Sequence, residues 1–121
     1  MPKVLLVEDN REISESVAQY LHMEGYEVDT CFDGVCALEK GVNPKYDIIL
    51  LDVMLPEIDG FRVAQKLIHK AETPMIMITA KESIEDKLTG FESGAVDYLV
   101  KPFDLRELVA RIQSVLGRSI K

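Results

Sequence analysis

The chain has 121 residues, 47% of them hydrophobic and 29% charged, the balance of one folded domain whose core is large enough to need no staple. Fourteen basic residues against 21 acidic ones leave a net charge of −7, which opposes direct nucleic-acid binding, where basic side chains must neutralise phosphates. The longest early apolar run, Val4 to Val7, is too short for a signal peptide or a membrane span, so a cytoplasmic protein with no membrane partner is expected.

Lys3 to Val7 predicts a first strand that ends in Glu8-Asp9. Asn10 is placed to cap the helix beyond it, with Ile13, Val17 and Leu21 on one face and Gly25 as the stop. Tyr26 to Cys31 alternates apolar and polar residues, as a half-exposed edge strand does. Asp33 to Lys40 suggests a short helix with Val35 and Leu38 inward. Cys31 and Cys36 have neither CxxC spacing nor clustered histidines around them, so a reduced, structural role is expected for both.

Ile48 to Leu51 is continuously apolar and too short for a helix, which reads as a strand buried on both faces. Asp52 follows at once, and Pro56 and Gly60 soon turn the chain. Asp59 opens a helix with Val63, Ala64, Leu67 and Ile68 on one face, and Thr73-Pro74 breaks it before a fourth buried strand, Met75 to Thr79. Met75 and Met77 are expected there as core fillers. Ser83 to Asp86 resembles a capping box with Asp at its last position. Its helix is weakly apolar, with Ile84, Leu88 and Phe91 as the large inward residues, and should be the least firmly held. Val96 to Val100 gives a fifth strand ending in Lys101-Pro102. Asp104 to Glu107 is a second capping box, and Leu105, Leu108, Val109, Ile112 and Leu116 form a stripe that Gly117 should end. His22 and His69 read as surface residues.

Strands alternating with helices in this way predict an α/β fold: a doubly wound five-stranded parallel sheet, order 2-1-3-4-5, flavodoxin-like. The whole chain, 1–121, reads as one domain, with 118–121 as the possible start of a linker. In such a sheet ligands sit at the carboxyl ends of the strands. Those ends offer Glu8 and Asp9, then Asp52, Thr79 and Lys101. Two like charges about 5 Å apart repel by roughly 3 kcal/mol at an effective dielectric near 20, so three acids require counter-charge. Hard oxygen donors of this kind suit Mg²⁺, with Asp9 and Asp52 as direct ligands and Glu8 acting through water. A carboxylate beside a divalent cation and a fixed lysine is equipped for phosphoryl transfer, with Asp52 as nucleophile and the Thr79 hydroxyl near the transferred group.

From end to end the chain resembles the receiver domain of a two-component response regulator. The resemblance is carried by Glu8-Asp9, by Asp52 within Leu51-Asp52-Val53-Met54-Leu55-Pro56 with Asp59-Gly60 beyond, by Thr79-Ala80 and by Lys101-Pro102-Phe103. It implies that Asp52 accepts a phosphoryl group from a sensor histidine kinase with Mg²⁺ present, that the Met54 carbonyl joins Glu8, Asp9 and Asp52 around the metal, and that Lys101-Pro102 is cis. It implies a switch rather than an enzyme with a released product: Thr79 moves toward the phosphoryl group, Tyr98 turns inward, and the surface of the fourth helix, fifth strand and fifth helix changes. The last third is similar to regulators with a winged-helix DNA-binding domain, which dimerise through charged pairs on this face. Lys87 with Glu107 and Asp97 with Arg111 occupy the matching positions, while Val96 stands where that class commonly has an acid. DNA would then be reached only through an effector domain, and the alternative is a free-standing receiver that docks on a protein partner. A nucleotide-binding protein would need GxGxxG or GxxxxGK[ST], and the chain has neither. A dehalogenase-like phosphatase would need D-x-D, and Asp52-Val53-Met54 lacks the second acid.

Overall fold

The computed structural model describes residues 1–120. Five parallel strands, β1 (Lys3–Val7), β2 (Glu27–Cys31), β3 (Ile48–Leu51), β4 (Met75–Thr79) and β5 (Asp97–Val100), lie in the order β2-β1-β3-β4-β5. They alternate with α1 (Arg11–Met23), α2 (Gly34–Lys40), α3 (Gly60–Leu67), α4 (Ile84–Glu92) and α5 (Leu105–Ile120). This is the expected doubly wound sheet. Strand side chains alternate between two apolar layers, which is why the central runs contain no polar residue. Leu5, Val7, Ile49, Leu51, Met75 and Met77 pack with Val63, Ala64 and Leu67 of α3 and Ala37 of α2. Val4, Leu6, Ile48, Leu50, Ile76 and Ile78 pack with Val17 and Leu21 of α1 and Leu108, Val109 and Ile112 of α5.

Local signals set the helix starts. Asn10, Asp33, Asp59 and Ser83 each accept an N–H three residues on, from Ile13, Cys36, Arg62 and Asp86. The Ser83 box closes differently from the usual form: the Asp86 carboxylate is too short to return to the Ser83 backbone and takes the Ser83 hydroxyl instead, at 2.8 Å. At Asp104 the expected box does not form. Its carboxylate accepts the Arg106 N–H and guanidinium, and the Glu107 carboxylate turns to Arg111.

Several other expectations are corrected. Val35 and Ile68 are exposed rather than inward, because Ala37 and Leu67 supply the buried contacts of their helices. Ile84, Leu88 and Phe91 are 72%, 55% and 47% exposed, so the apolar stripe of α4 faces outward. α4 meets the sheet instead through Gly90, its one buried residue. Gly117 does not end α5, since both flanks of that glycine continue the helical ladder to Ile120; the linker expected over 118–121 thus begins on helix, and Lys121 lies outside the described residues. Cys31 and Cys36, expected to be reduced, are joined by a disulfide: the end of β2 and the first turn of α2 bring their Cα atoms to 5.7 Å, a spacing that spacing rules for metal or redox motifs do not detect.

Candidate functional site

The carboxyl ends of β1, β3 and β5 converge on one acidic pocket, and β4 ends between β3 and β5 on the same edge. Asp52 leaves β3 with its backbone N–H on the Val7 carbonyl at 3.0 Å, which ties the first and third strand tips together. The residue is 3% exposed; Oδ1 accepts the Met54 N–H at 3.0 Å and Oδ2 accepts the Lys101 ammonium at 2.8 Å. The turn that holds this geometry depends on Gly60, whose N–H donates to the Val53 carbonyl at 2.7 Å. A Cβ at Gly60 would lie 2.3 Å from the Asp52 carbonyl oxygen and 2.6 Å from Val53 Cα, so only glycine lets α3 start this close to β3.

Glu8 is fully buried beside Asp52. One of its oxygens accepts from Lys101 and the other accepts the Asn10 N–H at 3.1 Å. Burial pushes the Glu8 carboxyl above its ordinary value, against the opposing hydrogen bonds from Lys101 and Asn10, with the Asp52 charge adding to the rise. For Lys101 burial acts to lower the pKa, but its hydrogen bonds to Asp52 and Glu8 outweigh that and the ammonium is held above its ordinary value. Asp9 is exposed at the rim, and ligand oxygens of Glu8, Asp9 and Asp52 all lie within 4.8 Å of one another. Three carboxylates against one ammonium make a donor set with room for further positive charge, and oxygen donors at this spacing fit a hard divalent cation. The Lys101-Pro102 bond is cis, as the family resemblance implied.

Thr79 ends β4, fully buried, and its Oγ1 accepts the Lys81 N–H at 3.3 Å. Tyr98 on β5, expected to turn inward on phosphorylation, already lies inward: it is 7% exposed, and its hydroxyl donates to the Lys81 carbonyl at 2.7 Å. The Lys81 backbone is therefore held through its N–H and its carbonyl by the two residues expected to switch. Sequence reading gave no signal for Lys81. Nor does the sequence show that Gly90, in the weakly apolar helix, faces Tyr98: a Cβ there would stand 2.8 Å from Tyr98 Cδ2, so the missing side chain makes the seat for the inward ring. Burial, then the charges of Asp86 and Asp52, push the Tyr98 phenol up to about 12.

A model of the response regulator receiver domain matches residues 4–113. This chain belongs to that family. It is a response regulator receiver domain of two-component systems. It is 45% identical over 118 residues to the response regulator ArlR of Staphylococcus saprophyticus and 44% identical to ArlR of Staphylococcus aureus, covering 98% of this chain in each case. The alignment covers 54% of each of those proteins, so the chain spans about half the length of the curated relatives it matches. Among solved structures, a Francisella response regulator 1452 receiver domain superposes with a TM-score of 0.93 at 34% identity, covering 98% of this chain and 99% of that one. The Vibrio cholerae chemotaxis protein CheY4 superposes at 0.88 with 37% identity, covering 95% and 98%.

On the receiver's outer face, Arg111 reaches both oxygens of Asp97 at 2.9 Å and Glu107 at 3.1 Å. Among the described residues Lys87 and Glu107 form no ion pair with one another; Glu107 is engaged by Arg111 on its own helix. His22 and His69 are exposed, away from the pocket, as expected. No helix among the described residues is long and apolar enough to cross a membrane.

Proposed function

We propose that this receiver is a phosphorylation-driven switch in which Asp52 is the phosphoacceptor. The observation that supports it best is Asp52 itself, a buried carboxylate fixed by the Met54 N–H and the Lys101 ammonium at a strand tip. An oxygen of Asp52 attacks the phosphorus of a sensor kinase phosphohistidine. The O–P bond forms as the P–N bond breaks, and the electron pair leaves with the imidazole. Lys101 keeps a fixed positive charge against the transferring oxygens, so no solvent has to reorganise at that moment. Asp9 and Asp52 would hold Mg²⁺ directly with the Met54 carbonyl; Glu8 would act through water, since Lys101 and Asn10 already occupy its two oxygens. When bound, the ion would add positive charge beside the phosphoryl oxygens.

The domain works as a switch rather than as an enzyme with a released product. Thr79 leaves the Lys81 N–H to donate its hydroxyl to the phosphoryl group, and Lys81, gripped also by Tyr98, passes that movement to α4. Moving an equilibrium from 1:99 to 99:1 takes about 5.5 kcal/mol of preference for one state. The face formed by α4, β5 and α5 is the dimer surface. Its exposed Ile84, Leu88 and Phe91 supply apolar area, and Lys87, Asp97, Glu107 and Arg111 set the register, with Arg111 exchanging internal partners for those of a second copy. Dimerisation would regulate transcription through an effector domain that binds DNA.

The test is incubation with acetyl phosphate and Mg²⁺, followed by intact mass and size-exclusion chromatography. One phosphoryl adduct, absent in Asp52→Asn, together with dimer formation is expected. An adduct that persists in Asp52→Asn refutes the assignment of the nucleophile, and an adduct without dimerisation refutes the dimer reading in favour of a receiver that docks on another protein.

A further inference from the structure

Cys31 and Cys36 take no part in phosphoryl transfer, yet they lie directly behind the pocket. Cys31 closes β2 opposite Val7 in the parallel register, and its carbonyl accepts the Glu8 N–H at 3.0 Å. Cys36 sits in the first turn of α2, its N–H held by Asp33 Oδ1 at 2.8 Å. A backbone bond from Glu8 thus holds the Cys31 end and the Asp33 carboxylate holds the Cys36 end, and the Cα separation of 5.7 Å falls in the range that a disulfide spans. Cys31 is buried, whereas Cys36 is only partly so.

This bond is not the main support of the fold. Two apolar layers cover both faces of the sheet, and a crosslink between residues five apart removes less chain entropy than one that closes a long loop. A crosslink whose outer residue is only partly buried and whose inner residue anchors a pocket acid has the features of a responsive site rather than a staple. We infer that Cys31 and Cys36 form a reversible dithiol–disulfide site, entered through Cys36, whose oxidised form stiffens the strand end that holds Glu8. The oxidant is a small disulfide, R–S–S–R. The Cys36 thiolate attacks one of its sulfurs, forming a mixed disulfide and releasing RS⁻. Cys31 then attacks Cys36 Sγ, giving its proton to solvent and expelling the second RS⁻. Two electrons pass from the cysteines to the reagent, and a thiol reductant reverses both steps. None of this requires Asp52 to be phosphorylated.

The test uses the full chain, reduced and then exposed to oxidised glutathione without denaturant. Intact mass should fall by two hydrogens relative to the dithiol form and recover with dithiothreitol. Cys36→Ser, a near-isosteric change at a partly exposed position, should neither lose those hydrogens nor take up glutathione at buried Cys31. The oxidised form should melt about 5 °C higher. Its Glu8 amide should exchange about tenfold more slowly than in the dithiol form, with a smaller change at Leu99 of β5. Failure to oxidise while folded, or oxidation only in denaturant, overturns the site. Complete oxidation with Glu8 and Leu99 shifting equally overturns the link to the pocket.

Discussion

Replacing Lys101 by Met tests how the pocket tolerates its own charge. The side chain keeps its unbranched apolar stem, with sulfur in place of one methylene, and loses the ammonium that bridges Glu8 and Asp52. Both carboxylates are buried, with ligand oxygens within 4.8 Å of each other. Left ionised, they repel by roughly 3.5 kcal/mol at an effective dielectric near 20. The alternative is to protonate Glu8, which for an ordinary glutamate at pH 7 costs about 3.5 kcal/mol. Glu8 is the carboxyl that burial already pushes up, so protonating it costs less than that ceiling. Lys101→Met should therefore lose about 2–3 kcal/mol near pH 7.5 in urea unfolding, a large share of a small domain's stability. The sign with pH follows from the same shift. A carboxyl raised in the folded state favours folding below its unfolded pKa, and that favour is lost as pH rises through the folded value. The deficit of the variant should therefore shrink as pH falls from 8 toward 5. A deficit constant over that window, or a variant as stable as the parent at pH 8, would refute the charge account of the pocket.

Gly60→Ala should destabilise by about 3 kcal/mol or more, because the new Cβ meets the backbone of Asp52 and Val53 rather than a movable side chain; urea unfolding measures this. Gly90→Ala pushes on the Tyr98 ring and should break the Tyr98–Lys81 hydrogen bond, read as a shift of the tyrosine ring resonances with the rest of the spectrum intact. In ultraviolet titration, the difference between the parent and Tyr98→Phe should show one phenol ionising near 12. Folding should gain from that raised phenol at pH 9 and lose the gain as pH rises through 12, and titration at an ordinary value would contradict the inward seat. Arg111→Ala should cost under about 1 kcal/mol in stability, since its ion pairs are partly exposed, while weakening the phosphorylation-dependent dimer seen by size exclusion.

Much of this molecule is legible in one dimension because its signals are local. Apolar runs without a polar break, as at Ile48 to Leu51, occur where a strand is covered on both faces. Asn10, Asp33, Asp59 and Ser83 start helices through bonds made within three residues. Asp52, Glu8, Asp9, Thr79 and Lys101 are readable because parallel strands place all their carboxyl ends on one edge, so residues far apart in sequence share a pocket once the alternation is recognised. α4 misleads for the opposite reason. Helical spacing reports that Ile84, Leu88 and Phe91 share a face, but not which way that face points.

The sequence determined the order of elements, the strand tips that carry acids and the lysine that answers them, since each depends on composition and short spacing. Only the tertiary structure decided the rest. It turned the stripe of α4 to solvent, seated Tyr98 on Gly90, brought Arg111 to Asp97 and joined Cys31 to Cys36. Those outcomes depend on how far apart packed elements come to rest, a distance set by the whole core and written in no short stretch of the chain.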